Sequence, residues 1–202
     1  MSSRELFIGI LLAWFCIAAG GSNTQVRPGD IVFQTSQSSQ SRAIQLATHS
    51  PYSHMGLILF RSGHPFVLEA TAHVQLTALS EWAARGQGGT YVVKRLKDAS
   101  VLAAPGNLHR LEQAALSFRG RPYDPYFEWS DQRIYCSELV WKAYDRGLGI
   151  QLGDLDRLSA FDLSNELVRQ KLKERFGDTI PMDEQVISPA AVFSSPLLAM
   201  PR

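Results

Sequence analysis

Two short β-rich apolar runs, Met55–Phe60 and Phe66–Ala70, flank the turn-forming stretch Arg61-Ser62-Gly63-His64-Pro65. Runs of this length joined by a Ser-Gly tip bury their surface best as a hairpin in an antiparallel sheet. With Ser62 and Gly63 at the tip, Arg61 pairs with His64, and the whole register follows from that one pair. His54 then falls opposite Thr71, and Glu69 lies two residues along the partner strand, on the same face and diagonal to His54. A carboxylate inside Phe66-Val67-Leu68-Glu69-Ala70 is costly unless something pairs with it, and His54 is positioned to do so.

The flanking segments extend this pattern. Val26-Arg27-Pro28-Gly29-Asp30-Ile31-Val32-Phe33 reads as a turn feeding a strand. Ser36 to Ser41 reads as a polar loop before a helix from about Gln40 to Ala47. Val74–Leu79 and Thr90–Leu96 read as further strands, with a short helix near Ser80–Arg85 and a Gly86–Gly89 loop between them. Helical spacing marks Asn107–Phe118, Cys136–Arg146 (ended by Gly147) and Ser164–Phe176. The tail reads as a short strand at Val186, then a brief helix opened by Ser188-Pro189. The expected class is α+β, an antiparallel sheet of about four to six strands with helices packed on it.

Residues 1–21 follow a different grammar. Arg4 precedes an apolar run from Leu6 to Ala19, which gives way to small residues and then to Ser22-Asn23-Thr24-Gln25. Charged start, short apolar stretch and small-residue exit make a secretory signal. The run is shorter than the roughly 20 residues a spanning helix needs, so a retained membrane anchor is the alternative and export is the expectation. Residues 22–202 are expected to form one domain. Cleavage removes Cys16 and leaves Cys136 as the mature protein's lone thiol, so no disulfide can form within the mature chain. A lone thiol in an oxidising compartment is either buried or used. The formal net charge of +1 and the scattered basic residues give no nucleic-acid footprint. The Arg169–Arg175 segment reads as the solvated side of its helix.

Cys136 stands where Ile134-Tyr135 gives way to a helix. The positive end of the helix dipole and the unpaired first-turn N–H groups favour a nucleophile there and can hold an oxyanion. A nucleophilic thiol needs a base. His49 at a helix end, His64 in a turn, His73 near a strand edge and His109 near a helix start each have an ordinary structural reason. His54, with Glu69 to hold its tautomer, is the base that register selects. No His-Glu-x-x-His, Cys-x-x-Cys or Gly-x-Ser-x-Gly motif supports a zinc or serine hydrolase.

The set Pro28-Gly29-Asp30-Ile31-Val32-Phe33, Tyr52-Ser53-His54-Met55-Gly56, Val67-Leu68-Glu69-Ala70 and Tyr135-Cys136-Ser137-Glu138-Leu139-Val140-Trp141 resembles the permuted papain-like amidases of the YaeF/YiiX type, within the NlpC-like superfamily. The tail joins the likeness through Phe161-Asp162-Leu163-Ser164-Asn165 and Ile187-Ser188-Pro189. That branch is circularly permuted and places histidine before cysteine, as His54 precedes Cys136 here. The resemblance implies a permuted papain-like fold, with Cys136 as nucleophile, His54 as base and Glu69 as the third polar residue. It also implies an oxyanion-stabilising role for Tyr123, for which a packed aromatic is the competing account. Trp129 and Trp141 read as core or groove wall. The implied substrate is a cell-wall peptide or an acyl amide of the envelope, with no cofactor and no metal. An acyl-lipid hydrolase or acyltransferase, or a binding module without turnover, are the alternatives.

Overall fold

The computed structural model describes residues 25–201. The signal-like segment 1–21 lies outside the described residues. The elements run β1 (Ile31–Gln34), α1 (Ser39–Thr48), β2 (His54–Arg61), β3 (His64–Ala70), β4 (Val74–Ala78), α2 (Leu79–Ala84), β5 (Val92–Leu96), α3 (Ala99–Ala103) and α4 (Asn107–Leu116). They continue with α5 (Cys136–Leu148), β6 (Asp156–Arg157), α6 (Glu166–Phe176), β7 (Gln185–Val186), α7 (Pro189–Phe193) and β8 (Leu198–Ala199). No helix among the described residues is long and apolar enough to cross a membrane.

Six strands form one antiparallel sheet in the order β4-β3-β2-β1-β5-β8. Strands β6 and β7 make a separate two-stranded ladder. The β2–β3 register is the one the sequence implies, Arg61 opposite His64 and Leu57 opposite Leu68. Its tip has positive φ at both central residues, 49° at Ser62 and 80° at Gly63. This hairpin turn matches the twist of its strands.

Alternation along the strands gives the sheet two apolar faces. Ile31, Phe33, Met55, Leu57 and Leu68 pack with Leu139, Val140 and Ala143 of α5 and Leu111 of α4. Val32, Ile58, Val67 and Val93 form the opposite face, sealed by Trp82 of α2. Helix α5 is buried along most of its length, including Glu138 and Lys142. Those two form an i,i+4 ion pair at 2.7 Å. Lys142 also donates to Ser130 O and Asp131 Oδ1, which fixes the loop preceding the cysteine.

Several local expectations are corrected. Gly147 does not end α5; the helix continues to Leu148, and Gly149 supplies the left-handed cap at φ 70°. Gly147 is a packing glycine, because a Cβ there would lie 2.8 Å from Leu111 Cα on α4. Helix α3, capped by the Asp98 side chain on Ser100 N, and the edge strand β8 have no counterpart in the sequence reading. His64 is not a turn residue but the first residue of β3. Trp129 and Trp141 meet edge to face at 5.2 Å, with Lys142 Nζ 4.6 Å from the Trp129 ring centroid.

Candidate active site

His54 opens β2, so its ring stands at the end of the sheet. Glu69 sits on β3, fully buried, and reaches His54 diagonally: Glu69 Oε2 lies 2.7 Å from His54 Nε2. Nδ1 is thereby the ring nitrogen left for a further partner. The other carboxylate oxygen, Oε1, accepts from Thr77 Oγ1 at 2.6 Å and from Arg85. Thr77 is on β4 and Arg85 caps α2, so three elements converge on one carboxylate. Burial works against the charge on Glu69, but its bonds to His54 and Thr77 and the nearby Arg85 charge outweigh that and hold its pKa below the ordinary value. Trp82 lies along the His54 ring, with centroids 5.9 Å apart and planes inclined by 30°.

Cys136 is the first residue of α5 and is the free cysteine of the described residues. The two residues around it are tied to the tail segment before α7: Ser137 Oγ donates to Ile187 O at 2.8 Å, and Ile187 N donates to Tyr135 Oη at 3.1 Å. These bonds set the backbone on both sides of the thiol. Burial would depress the His54 pKa, but the bonds and charges of Cys136 and Glu69 more than reverse that and raise it to about 9.

Two clefts meet at Cys136. One is polar and open, lined by Gln34, Ser36, Ser53, His54 and Arg85 as well as the cysteine. The other is mostly apolar and runs between α1 and α6. Gln40 and Tyr123 line both. Gln40 Nε2 donates to Tyr123 Oη at 2.8 Å, leaving the phenolic hydrogen free to point elsewhere. Burial raises the Tyr123 pKa, so the hydroxyl remains a donor.

The other sequence candidates fall elsewhere. His49 caps α1 in the left-handed conformation and pairs with Asp162 at 3.1 Å, outside both clefts at Cys136. His73 makes an isolated bridge with Pro122. The Arg169–Arg175 segment is not simply a solvated face. Arg175 lies 4.5 Å over the Phe127 ring, and Lys171 and Arg175 line the apolar cleft. Thr77, Arg85, Trp82 and Gln40 were not singled out in the sequence. Gln40 alone left a trace, in the polar stretch that runs into α1.

Comparison with known proteins decides the family. The family described as permuted papain-like amidase enzyme, YaeF/YiiX, matches residues 25–200 of the chain. The chain belongs to the permuted papain-like amidases. It is 45% identical over 198 residues to the uncharacterized protein YiiX of Escherichia coli (strain K12), covering 98% of this chain and 94% of that one. It also superposes on a crystal structure described as the metalloprotein yiiX from Escherichia coli O157:H7, with TM-score 0.83 and 49% identity, covering 87% of this chain and 96% of the other. The α+β fold is accordingly the permuted papain-like one. The family's chemistry is, in general terms, that of a cysteine hydrolase.

Proposed function

We propose that this permuted papain-like amidase is an exported enzyme that cleaves an amide bond through a thioacyl intermediate on Cys136. The observation that carries the reading is the His54 imidazole itself: one nitrogen is held at 2.7 Å by a fully buried carboxylate, and the ring shares a cleft with the thiol. Cys136 passes its thiol proton to His54 Nδ1, and Sγ attacks the carbonyl carbon, so that the C–S bond forms as the C=O π bond opens to an oxyanion. The oxyanion takes hydrogen bonds from first-turn N–H groups of α5 and from Tyr123 Oη. As the C–N bond breaks, His54 gives its proton to the departing nitrogen. Water then attacks the thioester carbon and gives a proton to His54, the C–S bond breaks to release the acid, and His54 returns that proton to Cys136 Sγ. Glu69 holds the imidazole in the tautomer this sequence of transfers needs.

The Escherichia coli relative is described as a metalloprotein. Among the described residues of this chain no three His, Cys, Asp or Glu side chains are grouped to hold a metal ion. The donor set therefore does not fit a metal centre, and no step here is routed through one. The substrate is an acyl amide or peptide of the cell envelope, in keeping with the signal-like segment 1–21. The test is a screen of purified mature protein against envelope peptides and N-acyl amides, with Cys136→Ala alongside. Thiol-dependent release of amine from any of them supports the reading. Turnover that persists in Cys136→Ala defeats it.

A further inference from the structure

Two carboxyl groups with no part in the chemistry above lie in the segments that carry Tyr123 and Cys136. Asp124 follows Tyr123, Glu138 is two residues beyond Cys136 in the first turn of α5, and both are completely buried. The backbone joins the two segments: Ile134 N donates to Pro122 O at 3.0 Å, and Asp124 N donates to Ile134 O at 3.2 Å. Each carboxyl group is only partly satisfied. Asp124 Oδ1 accepts from Tyr126 N at 2.8 Å, whereas Oδ2 is buried with no partner among the described residues. Glu138 Oε2 accepts from Tyr135 N at 3.3 Å. Its Oε1 meets Lys142 Nζ at 2.7 Å as an ion pair outside hydrogen-bond geometry.

Lys142 is the buried cation that faces these acids, and it is shared, since it also donates to Ser130 O and Asp131 Oδ1. Asp131 is paired in turn with Arg146 through both carboxylate oxygens. The other charged groups facing the pair are Glu128, Arg133 and Arg175 at Asp124 and Arg146 at Glu138, and none of them is buried. Burial outweighs them all. It pushes the Asp124 pKa up and lifts Glu138 to about 7, with the charge of Asp124 adding to the rise at Glu138. Two buried carboxylates against one shared ammonium cannot both stay ionised cheaply. We propose that Asp124 and Glu138 are positioning residues that share one proton in the working enzyme, and that loss of this proton to solvent weakens the Cys136 nucleophile. The proposal rests on the hydrolase reading only for the role of Cys136. With the proton in place, the pair and Lys142 sum to zero charge. Without it, one negative charge is left where the thiolate and the oxyanion must form. The neighbourhood is common to all of them: Asp124 and Cys136 both bear on the Tyr123 hydroxyl, and Asp124, Glu138 and Cys136 all bear on the Tyr135 hydroxyl.

The experiment is alkylation of Cys136 by iodoacetamide in wild type, Asp124→Asn and Glu138→Gln. It reads the thiolate and needs no substrate, so its outcome is independent of whether the chain turns over an amide. At about pH 6 the wild-type pair holds its proton and carries the same charge as either variant. At about pH 8 wild type carries one more negative charge. The ratio of variant to wild-type rate should therefore rise at least about threefold between these pH values. A ratio that stays constant, whatever its size, marks a merely structural role and overturns the proposal. If the variants do not fold, infrared difference spectra of wild type and Cys136→Ala take their place. A carboxyl C=O band should be present in wild type at about pH 6 and lost by about pH 8, and its absence would overturn the shared proton. Cys136→Ala should lose the same band at lower pH, because the thiolate and the pair each disfavour the other's charge to the same degree. An unshifted midpoint would overturn the link to the nucleophile.

Discussion

Trp82 lies along one face of the His54 imidazole, ring centroids 5.9 Å apart and planes 30° from parallel. The indole is fully buried and seals the sheet face that carries Glu69. It therefore both completes a core and presents a π-face to an imidazolium, an attraction of about 0.5–2 kcal/mol. Trp82→Ala should destabilise the protein by about 3–5 kcal/mol. In surviving folded protein it should also draw the His54 titration down from about 9. Trp82→Phe should keep more of both. NMR titration of the imidazole protons, beside denaturant unfolding, checks the pair.

His54 and Glu69 should behave as a unit. His54→Ala should remove nearly all thiol-dependent rate, because the thiol and the leaving amine both lose their proton partner. Glu69→Gln keeps the shape but permits the wrong tautomer, so its loss should be smaller and still large. The double variant should be scarcely slower than His54→Ala alone. Additive losses, measured as log kcat/KM, would show that the two do not act together.

The raised His54 pKa sets a pH window. A histidine whose folded pKa lies above its unfolded value of about 6.5 adds stability that is fully present below pH 6.5 and is lost as pH rises through about 9. The depressed Glu69 pKa works at the other end: its contribution is present above the ordinary carboxylate pKa and is lost as pH falls through the folded value. Wild type should therefore gain most over His54→Asn between these limits, by at most about 3 kcal/mol, and the gap should close above about pH 9. Turnover should decline over the same alkaline range, as the imidazolium that protonates the leaving amine disappears. Stability–pH curves of the two proteins test this.

Export makes a prediction at the other end of the chain. If the short apolar run Leu6–Ala19 and the small residues after it are a cleaved signal, as proposed, the mature protein should begin near Gly21 or Ser22. N-terminal sequencing of the protein recovered from an expressing cell checks it. An intact Met1 in the membrane fraction would mean that the segment is an anchor.

The β2–β3 hairpin was legible because a two-residue tip and two apolar runs leave one register that buries both strands. From that register the diagonal meeting of His54 and Glu69 followed, and the structure holds it at 2.7 Å. What surrounds the pair was not legible. Thr77 and Arg85 look like ordinary residues in β4 and at the end of α2 until the sheet folds them onto Glu69. Gly147 misled because a glycine near a helix end reads as a stop, whereas here the close approach of α4 requires it. Arg175 misled in the same way: a charge run predicts solvent, and only the partner ring of Phe127, far away in sequence, draws it over the cleft. Strand β8 is two residues long, and its one signal is the partner strand β5.

The central claim is that Cys136 carries the acyl group. Mass spectrometry of the mature enzyme, quenched in acid during turnover of an N-acyl amide and then digested, tests it most directly. The account predicts that the peptide containing Cys136 gains the mass of the acyl group less one hydrogen, that hydroxylamine removes it, and that His54→Ala accumulates little of it. Cys136→Ala should show no adduct and no turnover, while unfolding within about 1–2 kcal/mol of wild type. An adduct on another residue, or amine release that continues in Cys136→Ala with no acylated peptide, would contradict the account.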